Sequence, residues 1–192
     1  MTDLRFDEST HTYTVDGVIV PSVTGIINEV TRPFYPVAGM KWYMDRGTAI
    51  HACMAFLIRG IEIEYDDQIA GFVDAGRRWI ADYNPAPIAC EQPMASKYGY
   101  CGTPDLCAEV AKLGATVVDY KSGICGTAMW QLGAYSILCE ENGIAKPKSL
   151  MSVRLKEDGT YDVKWWVAKA MQREWLNVLS VYKMMTREGM IK

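Results

Sequence analysis

The sequence lacks a run of about eighteen uncharged apolar residues, a Cys-x-x-Cys pair and a Gly-x-x-x-x-Gly-Lys loop. Without the long apolar run, we expect no membrane-spanning helix. Without close cysteine pairs, we expect the six cysteines to be free thiols in a reducing cytosol rather than metal ligands. Without the glycine-rich loop, the phosphate cradle of P-loop enzymes is missing. The first residues also lack the basic and apolar segments of a secretory signal, so a cytoplasmic location is expected.

Positive charge is scarce as well, because 20 Lys and Arg residues against 23 Asp and Glu residues give a formal net charge of -3. A protein that grips DNA only through a basic surface is usually positive, so a simple DNA-binding module is disfavoured. A metal-dependent nuclease is less disfavoured, because the ion itself neutralises its carboxylates. The length of 192 residues suits a single domain with one core.

The order of predicted elements indicates a mixed α/β fold. A hairpin and helical region (1–84) comes first, then a catalytic sheet core (85–167), then a C-terminal helix (168–192). In the core, we predict a three-strand meander at about 88–95, 100–110 and 115–121, a crossover helix at about 127–141, and two further strands. A helix at about 37–59 is predicted to be interrupted near Gly47. Trp130, Trp165, Trp166 and Trp175 are predicted to be core residues, whereas Trp42 and Tyr43 stay open.

Three carboxylates in the meander are evenly spaced: Glu91, Asp105 and Asp119 lie fourteen residues apart. The two predicted turns fall midway between them, so symmetric hairpins place each carboxylate opposite the next, on one face of the sheet. A bulge at Pro104 would shift this register by one residue. Lys121 shares the face of Asp119, because side chains alternate along a strand.

Like charges that face each other destabilise a sheet, and one lysine does not neutralise three acids. A hard divalent cation does, since Mg²⁺ prefers carboxylate oxygens and water. The pattern therefore predicts a metal site for hydrolysis, in which Lys121 orients or deprotonates the attacking water or neutralises developing charge. Arg46 and Lys97 are among the cations that we expect to meet phosphates.

The motifs resemble the PD-(D/E)XK nuclease superfamily, most of all its RecB-like, phage-type exonuclease branch, which includes the mitochondrial genome maintenance exonucleases. Residues 102–105 (Gly-Thr-Pro-Asp) and 117–121 (Val-Val-Asp-Tyr-Lys) are similar to its signature. Residues 46–51 are similar to its Gly-x-x-x-His helix motif, residues 131–135 to its Gln-x-x-x-Tyr helix motif, and Glu91 to its strand glutamate. The resemblance spans about residues 12 to 165.

The resemblance implies a restriction-endonuclease-like core and a metal-dependent DNA exonuclease of recombination or replication. It implies Mg²⁺ or Mn²⁺ as cofactor, DNA as substrate, and a single-strand annealing or replication protein as a further partner. No iron–sulfur cluster is expected, because the late cysteines that hold it in some members are missing after Cys139. The implied metal ligands are Asp105, Asp119, Glu91, His51 and the backbone carbonyl of Tyr120. The implied catalytic residues are Lys121, Asp119, Asp105, Glu91, Gln131 and Tyr135, and Tyr135 is also a DNA contact.

Structural explanations exist for single residues. Asp119 and Lys121 would then form a plain ion pair, His51 would be a half-buried structural histidine, and Gln131 with Tyr135 would be the polar edge of a packing helix. The competing functions are a structure-specific or nicking endonuclease, a non-catalytic nucleic-acid-binding protein on the same fold, and a metal-dependent hydrolase of another substrate such as a nucleotide.

Overall fold

The computed structural model describes residues 3–32 and 40–191, with no side-chain detail at 40 and 41. The helices are α1 Val23–Thr31, α2 Met40–Leu57, α3 Ala70–Tyr83, α4 Ala128–Glu141 and α5 Ala168–Arg187. The strands are β1 Leu4–Asp7, β2 Thr12–Val15, β3 Val18–Val20, β4 Ala86–Cys90, β5 Met94–Ser96, β6 Tyr100–Gly102, β7 Leu106–Val110, β8 Gly114–Lys121, β9 Ser149–Leu155 and β10 Tyr161–Val167.

The centre of the fold is a five-stranded mixed sheet in the order β10-β9-β8-β7-β4. Strands β8 and β9 are parallel, and the other neighbouring pairs are antiparallel. A parallel pair needs a long crossover connection, and α4 provides it between β8 and β9. The predicted mixed α/β fold, with its meander, crossover helix and further strands, is confirmed.

Helices cover both faces of the sheet. Alternate residues of a strand point to opposite faces, so Val117 packs in a core cluster with α1, α4 and α5, whereas Val118 packs in a second cluster with α2 and α3. Asp119 and Lys121 share the phase of Val117 and therefore point towards α4. No helix in the described ranges has the length and apolar character needed to cross a bilayer.

Local sequence signals explain several boundaries. Asp16-Gly17 forms the predicted turn between β2 and β3, with both residues at positive φ. The Ser22 side chain accepts a hydrogen bond from the Gly25 amide at 2.9 Å and caps α1.

Four details of the sequence interpretation are wrong. Helix α2 continues through Gly47, because the helix penalty of one glycine is only about 1 kcal/mol and the later turns of α2 are buried against α3; its predicted start at 37 lies outside the described residues. The first two predicted meander strands are each divided, giving β4 with β5 and β6 with β7, whereas the third forms β8 without a break. Strand β1 was not predicted. Trp165 is 63% exposed rather than part of the core.

Candidate active site

The division of the meander strands creates the candidate site. Strands β4 and β7 stay in the central sheet, whereas β5 and β6 leave it as a separate two-stranded hairpin. Glu91 follows the end of β4, Asp105 precedes the start of β7, and Asp119 to Lys121 form the end of β8. These three positions lie at the same end of neighbouring strands, close to the N-terminal half of α4.

The register agrees with the spacing of the carboxylates. Cys90 pairs with Leu106, and Leu106 pairs with Val118. The regular pairing ends there. If each ladder were continued by one residue, Glu91 would lie opposite Asp105, and Asp105 would lie opposite Asp119. The Glu91 amide donates to the carbonyls of Pro104 and Asp105, at 3.2 Å each, and Glu91 has φ of 51°, which turns the chain away from the sheet. A bulge does occur, but between Pro87 and Ala89 rather than at Pro104.

The Asp105 carboxylate is buried and fixed at both oxygens. Its Oδ2 accepts a hydrogen bond from the Tyr120 amide at 2.7 Å, and its Oδ1 lies 3.2 Å from Nδ1 of His51 on α2. Burial alone raises the pKa of Asp105, but the His51 charge and hydrogen bond, Lys121 and the Tyr120 amide outweigh it and hold the pKa below its ordinary value. Asp105 is therefore an anion in this arrangement.

A second chain of contacts leads from Asp119 to α4. Lys121 Nζ donates to Asp119 Oδ1 at 2.8 Å and to Gln131 Oε1 at 3.0 Å. Gln131 Nε2 in turn donates to the Tyr135 hydroxyl at 2.9 Å. The three predicted residues Lys121, Gln131 and Tyr135 are therefore brought together, because Gln131 and Tyr135 lie one helical turn apart on α4.

Burial controls the protonation of the site. Burial, assisted by the Asp105 charge and opposed by neighbouring cations, raises the pKa of Asp119 to about 6 and that of Glu91 to about 7. Burial lowers the pKa of His51, but the Asp105 carboxylate more than reverses this and gives a value of about 9. Burial also lowers the pKa of Lys121, but Asp119 and Asp105 raise it above its ordinary value. Lys121 is therefore an ammonium at neutral pH.

The residues present fit a divalent metal ion. His51, Glu91 and Asp105 each offer one ligand atom, and these three atoms lie within 4.8 Å of one another. Asp119 is not part of this close group, and its Oδ1 accepts the hydrogen bond from Lys121. Its Oδ2 is fully buried without a hydrogen-bond partner. A buried carboxylate oxygen without a partner is costly, and a cation between Asp119 and the group of three would satisfy it.

Two further predicted residues, Tyr120 and Arg46, lie around this centre. Tyr120 has its amide on Asp105, and its ring packs on the opposite face of the sheet among α2 and α3. The Arg46 guanidinium lies 4.7 Å from the Trp42 ring centre, and its Nη2 reaches the Ser122 carbonyl at 3.5 Å.

Lys97 lies in the turn of the β5–β6 hairpin. Its Nζ is 3.3 Å from Glu141 Oε1, near the end of α4 and about 15 Å along that helix from Gln131. Lys97 therefore approaches the protein at the far end of α4 rather than at the carboxylates.

Sequence reasoning missed a contact that supports the site from the N-terminal hairpin. The Tyr13 hydroxyl and Thr103 Oγ1 are 2.8 Å apart, which ties β2 to the loop that carries Asp105. At Gly102, the last residue of β6, an added Cβ would lie 2.8 Å from the Tyr135 ring, so only glycine allows the end of this strand to approach α4 so closely. The sequence contains no signal for the first contact, because the partners are ninety residues apart.

Comparisons with known proteins find a similarity at the level of solved structures. No protein-family model matches the chain, and no curated protein matches it. Among solved structures, the fold is similar to the crystal structure of an alkaline exonuclease from Laribacter hongkongensis, with a TM-score of 0.47, 13% sequence identity and coverage of 88% of each chain.

Proposed function

We propose that this chain is a divalent-metal-dependent nuclease that hydrolyses DNA phosphodiester bonds, acting as an exonuclease in phage-type recombination or replication. The observation that carries the proposal is the buried, unpartnered Asp119 Oδ2 beside the group of His51, Glu91 and Asp105. An ordinary structural ion pair with Lys121 satisfies only one oxygen of Asp119 and does not explain why three more ligand atoms converge nearby. The resemblance of the motifs supplies the substrate class.

The metal, Mg²⁺ or Mn²⁺, would be held by Asp105, Asp119, Glu91 and His51, and when bound it supplies Lewis acidity and a more acidic water. The protein's own residues then have separate tasks. The Tyr120 amide fixes Asp105, so that the orientation of this carboxylate does not depend on the ion. The Lys121 ammonium, held between Asp119 and Gln131, is placed to stabilise the negative charge that develops on the phosphate oxygens.

The raised pKa of Lys121 in the metal-free protein favours one of the roles that the sequence left open. A general base must be unprotonated at the working pH, and Lys121 stays charged because Asp119 and Asp105 stabilise its proton. We therefore assign Lys121 the role of a charged hydrogen-bond donor rather than a base. Gln131 and Tyr135 are positioning residues, since they act on the substrate through Lys121.

Cleavage assays test the proposal. The purified chain would be incubated with end-labelled linear DNA and with closed circular DNA, both single- and double-stranded, in Mg²⁺, Mn²⁺ or EDTA. Lys121→Ala would be compared with Lys183→Ala, which removes an exposed lysine on α5. We expect metal-dependent degradation of linear DNA that Lys121→Ala reduces by a factor of about 10² or more and Lys183→Ala leaves unchanged.

Other outcomes have distinct meanings. Cleavage of closed circles would replace the exonuclease by an endonuclease, because a circle offers no end. Full activity in EDTA, or in Lys121→Ala, would refute the proposed site. Binding of DNA without cleavage in any metal, by protein shown to be folded, would favour a non-catalytic nucleic-acid-binding protein.

A further inference from the structure

One face of α2 continues from the candidate site to the protein surface. Tyr43, Gly47 and His51 are spaced four residues apart, so they lie along one stripe of the helix. At the inner end, His51 contacts Asp105. At the middle, Gly47 lies beside Ser122, the residue that follows Lys121. At the outer end, about 12 Å from His51 along the axis, Tyr43 is 51% exposed.

Gly47 is unusual because protein packing does not require it. A glycine in a helix costs about 1 kcal/mol relative to alanine. A Cβ at Gly47 would nevertheless meet only Ser122 Oγ, at 4.0 Å, which is ordinary van der Waals contact. By contrast, a Cβ at Gly133 on α4 would lie 2.3 Å from a backbone oxygen of α5. The open surface at Gly47 therefore suits the close approach of a molecule other than the protein itself.

An aromatic platform stands at the outer end of this stripe. Trp42 is 50% exposed, and its ring meets that of Tyr43 edge to face at 5.1 Å. The Arg46 guanidinium lies 4.7 Å from the Trp42 ring centre and 5.1 Å from that of Tyr43. Cation–π contacts of this kind hold aromatic rings in place. Arg46 thus fixes one side of the pair and leaves ring surface open to solvent.

We infer that this stripe is a binding track for single-stranded DNA, with nucleobases stacking on Trp42 and Tyr43 and the sugar–phosphate backbone passing Gly47 towards His51. The inference rests on the proposed nuclease function, since it names the form of the substrate. Stacking of successive bases on aromatic side chains favours unpaired DNA, because within a duplex the faces of the bases are covered by their neighbours. The roughly 12 Å along the helix axis between Tyr43 and His51 would span at most about three to four nucleotides, a number set by the duplex spacing of about 3.4 Å per strand.

Affinity measurements in EDTA, where no cleavage is expected, test the track directly. The probe is a fluorescein-labelled single-stranded oligonucleotide of about 12 nucleotides, within the usual range of site sizes, compared with the blunt duplex of the same sequence. We expect Trp42→Ala and Tyr43→Ala each to weaken single-strand binding about tenfold, as the loss of one stacked base does. Tyr43→Phe should bind like the wild type, because it keeps the ring. The matched control is Trp165→Ala, which removes an aromatic on β10 that is somewhat more exposed than Trp42 and Tyr43.

Gly47→Ala separates a role in binding from a role in folding. Alanine favours the helix and meets no close atom, so the urea midpoint of unfolding should stay the same or rise. The same substitution should nevertheless weaken single-strand binding and raise the KM for single-stranded DNA while leaving kcat near the wild-type value. A structural glycine would instead lower the urea midpoint.

The track and the nuclease can fail separately. Unchanged single-strand affinity in Trp42→Ala and Tyr43→Ala would overturn the track, even if Lys121-dependent cleavage is observed, and would point to a protein partner for the aromatic pair. Equal losses for the duplex and the single strand would overturn the preference for unpaired bases. Aromatic-dependent single-strand binding without cleavage in any metal would overturn the nuclease and leave the track in place.

Discussion

Asp119→Asn should remove the metal site and change how the stability of the protein depends on pH. Asp119 is fully buried, and one of its carboxylate oxygens has no partner. Burial raises its pKa to about 6, against an ordinary value of 3.8. The folded protein therefore binds this proton more tightly than the unfolded chain does. Asparagine has nearly the same shape and does not titrate, so the variant reports the Asp119 charge together with its coupling to Lys121 and Glu91.

The sign and size of the effect follow from the pKa. Because the folded-state pKa is raised, protonated Asp119 contributes fully to the free energy of unfolding of the wild type below about pH 4. This stabilising contribution is lost as the pH rises to about 6. Above that pH the loss is constant at about 3 kcal/mol, since each pKa unit corresponds to about 1.4 kcal/mol. The variant has no such loss. Between pH 4 and pH 8 in EDTA, the difference in unfolding free energy should move in favour of Asp119→Asn by about 3 kcal/mol.

Urea unfolding followed by circular dichroism measures this difference at each pH. Mg²⁺ should reverse it for the wild type only, because a ligand that binds the folded state at a hundred times its Kd adds about 2.7 kcal/mol. Glu174→Gln, which neutralises an exposed carboxylate on α5, is the control and should follow the wild type throughout. Parallel pH curves for wild type and Asp119→Asn would refute the cost of the buried charge. Equal stabilisation of both by Mg²⁺ would refute Asp119 as a metal ligand.

Three further predictions concern the residues around the carboxylates. Gln131→Ala and Tyr135→Phe should each lower kcat with little change in KM. The kcat of the double variant should fall by less than the product of the two single decreases, because both residues act through Lys121. Multiplicative decreases in steady-state kinetics would contradict this. Gly133→Ala should lower the urea midpoint of unfolding strongly, because its Cβ would lie 2.3 Å from a backbone oxygen of α5. The control Gly126→Ala, whose Cβ would have no atom within 4 Å, should leave the midpoint unchanged. Similar midpoints for the two variants would contradict the tight contact at Gly133. At pH 8, where Glu91 with its pKa of about 7 is mostly ionised, His51 with a pKa of about 9 should release its proton when Mn²⁺ binds. Calorimetric titrations in buffers of different ionisation enthalpy should therefore differ for the wild type and much less for His51→Ala, and equal buffer dependence would exclude His51 as a ligand.

Local sequence signals determined most of the fold. Turn residues such as Asp16-Gly17 and the capping Ser22 act over two or three residues, so their outcome does not depend on the rest of the chain. The alternation of Val117, Val118 and Asp119 assigns each side chain to a face of β8, because the period of a strand is fixed. The even spacing of Glu91, Asp105 and Asp119 likewise predicts the strand register that is observed between β4, β7 and β8 up to the residues next to these carboxylates.

The tertiary structure decided what the spacing left open. The pairing between β4 and β7 ends at Glu91 and Asp105, where Glu91 has a left-handed backbone conformation and Pro104 has no amide hydrogen to donate. The tertiary structure is needed to see that β5 and β6 leave the central sheet at this point. Helix α2 persists through Gly47 because buried contacts outweigh a local propensity. The approach of His51 to Asp105, and of Gln131 to Lys121, joins separate elements of the chain. Such contacts arise from the way helices pack on both faces of the sheet. Periodicity along the chain therefore identifies the candidate residues but does not predict which of them are in contact.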